Sequence, residues 1–68
     1  MKEWEIVFRA ENPVRAEIVR SVLELNGIDS VVVDKKDRNY HLGFCEVLVR
    51  RDNILKALKI ISDEIRFA

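Results

Sequence analysis

WEIVFRAENPVRAEIVRSVLELNGIDSVVVD, residues 4–34, decides the fold. Trp4, Ile6 and Phe8 alternate with Glu5, Val7 and Arg9. Period two with aromatic and β-branched residues predicts a strand over Trp4 to Ala10, with one buried face. Asn12-Pro13 follows: Asn accepts hydrogen bonds from the first free helical N–H groups, and Pro suits the first helical position. A helix is therefore expected from Pro13 to Asn26, with Val14, Ile18, Val22 and Leu25 as its apolar stripe, widened by Val19 and Leu23. Glu17, Arg20, Ser21 and Glu24 fall on the other side, where Arg20 is spaced to pair with both glutamates. Gly27 supplies a left-handed stop. A second strand, Ile28 to Asp34, is centred on Val31-Val32-Val33. A helix of this length between two strands is a crossover, so the strands should run parallel, with right-handed connection.

Working outward, Lys35 to Gly43 is polar except for Tyr40 and Leu42 and reads as a loop. Phe44 to Arg50 alternates Cys45, Val47 and Val49 with Phe44, Glu46 and Leu48, a third strand apolar enough on both faces to be central. Asp52 is the expected cap of a second helix, from about Asn53 to Ile65, with Ile54, Leu58, Ile61 and Ile65 as its stripe and Leu55 beside it. The order strand, helix, strand, strand, helix gives an α+β fold. It is a ferredoxin-like βαββα plait lacking the last strand, a three-stranded antiparallel sheet in the order 1-3-2 with two helices on one face. Residues 1–68 form a single domain with no repeat or linker.

Leaving off the last strand makes the first strand an edge and leaves one sheet face uncovered. If Ile6, Phe8, Val31, Val33, Cys45, Val47 and Val49 point to the helices, then Val7, Val32, Phe44 and Leu48 point the other way. Glu5, Arg9, Glu46 and Arg50 would flank them. An apolar patch rimmed by charge marks an interface, and so small a domain is marginal alone. A protein partner or a second copy in a homodimer is expected to meet the chain through this open face, with Val7, Val32, Phe44 and Leu48 as contact residues, or through the edge of the first strand.

Composition narrows the classes. Twelve Lys plus Arg balance twelve Asp plus Glu, so the formal net charge is zero, with 49% apolar and 35% charged residues. That is too apolar and evenly charged for a disordered chain, and it lacks the basic footprint of a nucleic-acid or acidic-membrane binder. One cysteine, Cys45, and one histidine, His41, leave no internal disulfide and no metal-ligand spacing. No cofactor motif is present, and Gly27 and Gly43, the only glycines, make no phosphate-binding loop. A lone thiol, no apolar leader and no run long enough to span a bilayer lead to the expectation of a cytoplasmic protein.

Phe8-Arg9-Ala10-Glu11-Asn12-Pro13, Ala16-Glu17, Leu23-Glu24 and Gly27-Ile28, followed by Val47-Leu48-Val49 and Leu55-Lys56-Ala57-Leu58, resemble a family of small prokaryotic proteins of unknown function. They are called “putative prokaryotic signal-transducing proteins”. The motifs are structural ones (cap, stop and core), and they cover nearly the whole chain. The family name rests on a fold similarity to PII-type signal proteins, whose plait carries a functional loop after the second strand. The resemblance implies a regulatory or binding module and brings no catalytic residues with it. Tyr40 occupies a place broadly similar to a modified tyrosine of the PII loop, but the loop here is short and its sequence does not match.

Three other chemistries compete with this reading. His41 and Cys45 are the only nucleophile–base pair in sight, and a core cysteine beside a solvated loop histidine is the better account. RNA-recognition plaits stack bases on open-face aromatics, but here the second aromatic position holds Glu46 and the first strand presents Val7. Lys35, Lys36 and Arg38, with Tyr40 and His41 nearby, form a basic loop able to hold an anion. The sequence therefore predicts a non-enzymatic regulatory or protein-interaction module, with a small-ligand or anion sensor using loop 35–43 as the alternative.

Overall fold

A computed structural model describes residues 3–37 and 42–67. Its elements are β1 (Trp4–Ala10), α1 (Pro13–Leu25), β2 (Ser30–Asp37), β3 (Leu42–Arg50), a single 3-10 turn (Arg51–Asn53) and α2 (Ile54–Glu64). The sheet order is β1-β3-β2, with β3 antiparallel to both neighbours, and both helices pack on one face. This is the truncated ferredoxin-like plait expected from the element order.

Local chemistry sets the ends of α1. Asn12 is extended, and its Oδ1 accepts a hydrogen bond from the Val14 N–H at 2.7 Å, with Pro13 in the first turn. At the other end Gly27 has φ +78°, which lets its N–H reach the Glu24 carbonyl and the Ile28 N–H reach the Leu23 carbonyl, each at 2.9 Å. This pair of bonds closes the helix, and the fully buried Leu23 and Ile28 provide the apolar contact that goes with it. Ile28 is thus spent on the helix stop. That is why β2 starts two residues later than periodicity suggested and runs to Asp37, taking Lys35 and Lys36 out of the predicted loop.

The second cap differs from expectation. Asp52 lies within the 3-10 turn, and Asn53 precedes α2 without a side-chain capping bond. The turn is anchored instead through the Arg51 N–H, which donates to the Glu3 carbonyl at 2.8 Å. After α2 the chain turns extended at Ile65 and lays Phe67 against Phe8, ring centroids 5.9 Å apart. The Arg15 guanidinium lies 4.8 Å from the Phe67 ring centroid.

The helices bury only part of the predicted stripes: Val19 and Leu23 of α1 are fully buried, but the stripes' other large residues are partly or wholly exposed. The core is Ala16, Val19 and Leu23 from α1, Ala57 and Ile60 from α2, and Cys45, Val47 and Val49 from β3, with Ile28. Ile54, Ile61 and Ile65 of the predicted α2 stripe pack partly against this core, as Val22 does in α1. Val14, Ile18, Leu25, Leu55 and Leu58 are exposed. At about 100° per residue Val14, Ile18 and Leu25 lie roughly opposite Ala16, Val19 and Leu23. The fully buried alanines let both helices approach closely, and a stripe drawn through larger side chains overlooks them. On the solvent side Arg20 binds Glu17 at 2.9 Å and Glu24 at 3.0 Å. Its guanidinium is held above its ordinary range, chiefly by the hydrogen bond to Glu17, with Glu24 adding to it.

Candidate interaction face

The uncovered face is built from cross-strand rows. Opposed residues in antiparallel strands share a face, and Cys45, Val47 and Val49 fix the helix side. The other side therefore carries Trp4 with Arg50, Ile6 with Leu48 and Val31, Arg9 with Glu46 and Val33, and Phe44 with Lys35. This corrects five placements. Ile6, Val31 and Val33 lie on the open face, whereas Val7 and Val32, two of the expected contact residues, turn toward the helices and pack against the core.

Each error has a physical cause. The register of β1 shifts between Ile6 and Phe8, so Val7 is an extra residue in a β-bulge. Trp4 and Ile6 then face out while Phe8 faces in, which simple alternation forbids. In β2 the run Val31-Val32-Val33 reads equally well in either phase. The pairing of Ser30 with Val49 sets it, placing Val32 beside buried Val47. Phe44 and Leu48 stand on the open face as expected.

Two residues of the central strand are buried although no helix covers them: Leu48 is 8% and Glu46 3% exposed. Longer side chains from the flanking strands fold over them. Arg9 Nη2 reaches Glu46 Oε2 at 2.9 Å, and Lys35 Nζ lies 3.5 Å from Glu46 Oε1. The carboxylate side chain is 4% exposed, while those of Arg9 and Lys35 are 61% and 56% exposed. The row thus hides its anion and displays its cations. Arg9 also lies over the Phe44 ring, 5.3 Å from the centroid, and Arg50 over Trp4 at 4.9 Å. Glu3 and Glu5 stand at the rim, where they meet Arg50 at 3.8 Å and Arg51 at 3.4 Å.

Between these groups runs an open groove of about 420 Å³, lined among others by Trp4, Ile6, Val33, Lys35, Glu46 and Leu48. It is apolar in the middle and ionic at its margins, with Glu5 from β1 and the Lys35–Glu46 pair from β2 and β3. The bulge in β1 interrupts its regular pairing with β3 between Ile6 and Phe8. Trp4, Ile6, Arg9, Val31 and Val33 belong to this face although they lie outside the contact set expected from the sequence. Glu46 carried the signal. A glutamate in the middle of a central apolar strand can only face the uncovered side, and the cations that neutralise it must share that side. Applied to Arg9 and Lys35, this rule also places Val33 and Val31 correctly.

Of the predicted loop, Lys35 is engaged with Glu46 and Lys36 lies in β2. Arg38, Tyr40 and His41 lie outside the described residues. Cys45 is buried in the core. Among the described residues no three His, Cys, Asp or Glu groups come together as a metal site, and no helix is long and apolar enough to cross a membrane.

The family model described as “Putative prokaryotic signal transducing protein” matches residues 4–65, a span that takes in all three strands and both helices. No curated protein and no solved structure matches the chain.

Proposed function

The chain belongs to the “putative prokaryotic signal transducing protein” family, and from that membership we propose that it is a non-enzymatic regulatory module that binds a protein partner through its uncovered sheet face. The observation that carries this reading is the central row of that face. Leu48 sits at the floor of an open groove beside a carboxylate held by two exposed cations, a mixture of apolar floor and polar rim typical of binding surfaces. The contact residues are Ile6, Val31, Phe44 and Leu48, with Trp4 and Arg9 at the margins. The burial of Cys45 favours a packing role over nucleophilic chemistry.

The test compares two exposed leucine-sized positions. Ile6→Glu alters the face and Leu55→Glu alters the outer side of α2, and both sites are exposed enough for the domain to fold. Affinity capture from the native cell, quantified against the wild type, should show a partner reduced at least tenfold by Ile6→Glu and retained by Leu55→Glu. The reverse pattern would place the interface on the helices and defeat the reading.

A further inference from the structure

The charge arrangement of the face specifies the kind of partner it fits. At one end of the face Arg9 and Lys35 stand against a single carboxylate, Glu46, while at the other Glu3 pairs with Arg50 and Glu5 lines the groove. That carboxylate is buried beneath its two cations, so the outer surface is apolar at the centre and cationic at the Arg9–Lys35 end. Complementarity calls for an apolar stripe flanked by acids.

Backbone chemistry limits the partner's form. β3 is hydrogen-bonded on both sides, so the face offers no free N–H or C=O groups at its centre. An extended segment laid there would bury unpaired backbone groups, which is costly. A helix satisfies its own backbone and is about 10 Å across. The outer strands of a three-stranded sheet stand about 10 Å apart, two spacings of roughly 4.8 Å. A second copy fits less well, because laying two such faces together would double the cation excess within one interface. Nucleic acid fits less well too, because the chain has no net positive charge and aliphatic Ile6, Leu48 and Val31 fill the central row where aromatic rings would stack bases.

We infer that the open face of β1-β3-β2 is a dock for an acidic amphipathic helix of another protein. Its apolar stripe lies over Ile6, Leu48 and Val31 and its carboxylates reach Arg9 and Lys35. This rests on the protein-interaction reading above and adds the chemistry of the partner.

The probes are three synthetic helical peptides with the same leucine stripe, flanked by Glu, by Gln or by Lys. A fifteen-nucleotide oligo-dT is the fourth ligand, and the protein alone at rising concentration is the fifth sample. Binding is read by the fluorescence of Trp4, the only tryptophan, and mapped by backbone amide shifts. The expected result is saturable binding of the Glu peptide, at least tenfold tighter than the Gln or Lys peptide, with shifts along the Ile6–Leu48–Val31 row. Replacing Arg9, Glu46 and Lys35 together by Gln leaves no unpaired charge in the row. This variant should stay folded by circular dichroism and bind the Glu and Gln peptides alike. Preference for the Lys or Gln peptide, for oligo-dT or for self-association through the same row would overturn the acidic-helix inference. The peptide and self-association outcomes would still leave a protein-binding face. If nothing engages that row at millimolar concentration, both the inference and the reading beneath it fail.

Discussion

Removing Arg9 should cost this domain more than removing Glu46, the carboxylate that Arg9 holds. Arg9→Gln leaves a side chain 4% exposed and charged, with Lys35 at 3.5 Å as its remaining partner. Breaking a fully buried pair costs about 3–5 kcal/mol, and breaking an exposed pair about 0.2–1 kcal/mol. Here one partner is buried and the other 61% exposed, with the second cation left in place, so the loss lies between these limits, at about 1–2 kcal/mol. A small part of it is the contact of Arg9 with Phe44. Glu46→Met removes the buried charge, keeps the volume and frees two surface cations that water solvates well. That exchange is expected to be neutral within about 1 kcal/mol, or stabilising. Urea unfolding followed by Trp4 fluorescence measures both, with the slope against denaturant checking that the end states are unchanged. In a domain of this size the Arg9→Gln loss corresponds to a melting temperature lower by about 5–15 °C. If Glu46→Met destabilises more than Arg9→Gln, the carboxylate is a net structural support. That outcome would refute the expectation that the buried charge adds little net stability.

Further outcomes follow from other local features. Asn12→Ala should cost about 1 kcal/mol through loss of its bond to the Val14 N–H. Asp52→Ala should stay within about 0.5 kcal/mol; equal losses in paired thermal melts would restore Asp52 as a cap. Ser30 Oγ is buried without a hydrogen-bond partner, so Ser30→Ala should be neutral or stabilising by up to about 1 kcal/mol. A clear loss of stability on chemical denaturation would reveal a partner for that hydroxyl. Gly27→Ala meets nothing within 4 Å of its new Cβ and so suffers only the left-handed strain at φ +78°, about 1–2 kcal/mol. Gly27→Asn should lose less than Gly27→Ala, and an equal or larger loss would point to a steric cause. Buried Cys45 should react with a thiol reagent only through unfolding, so its labelling rate should rise with urea in step with the unfolded fraction. Fast labelling in buffer alone would contradict its place in the core.

Much of the fold was legible because local chemistry and pattern agree. Alternation marks β1, Asn12-Pro13 and Gly27 bracket α1, and the element order leaves one economical sheet, β1-β3-β2. The face assignment was less legible, since it depends on strand phase. A one-residue bulge at Val7 reverses half of β1, and three successive valines in β2 carry no phase of their own. The helix stripes misled for a related reason. Ala16 and Ala57 are buried because they are small, which a tally of large apolar residues does not register. Of the expected contact set, Phe44 and Leu48 belong to the open face and Val7 and Val32 to the core side, while the charged row that gives the face its character came from pairing across three strands.

The most direct measurement of where this chain meets its partner is photo-crosslinking in the native cell. A photoreactive residue is placed at Val31 on the open face in one variant and at Leu55 on α2 in another, both at exposed sites. The account predicts a discrete crosslinked protein from Val31 that disappears when Ile6→Glu is added, and none in common from Leu55. A discrete adduct from Leu55, with nothing above background from Val31, would contradict it.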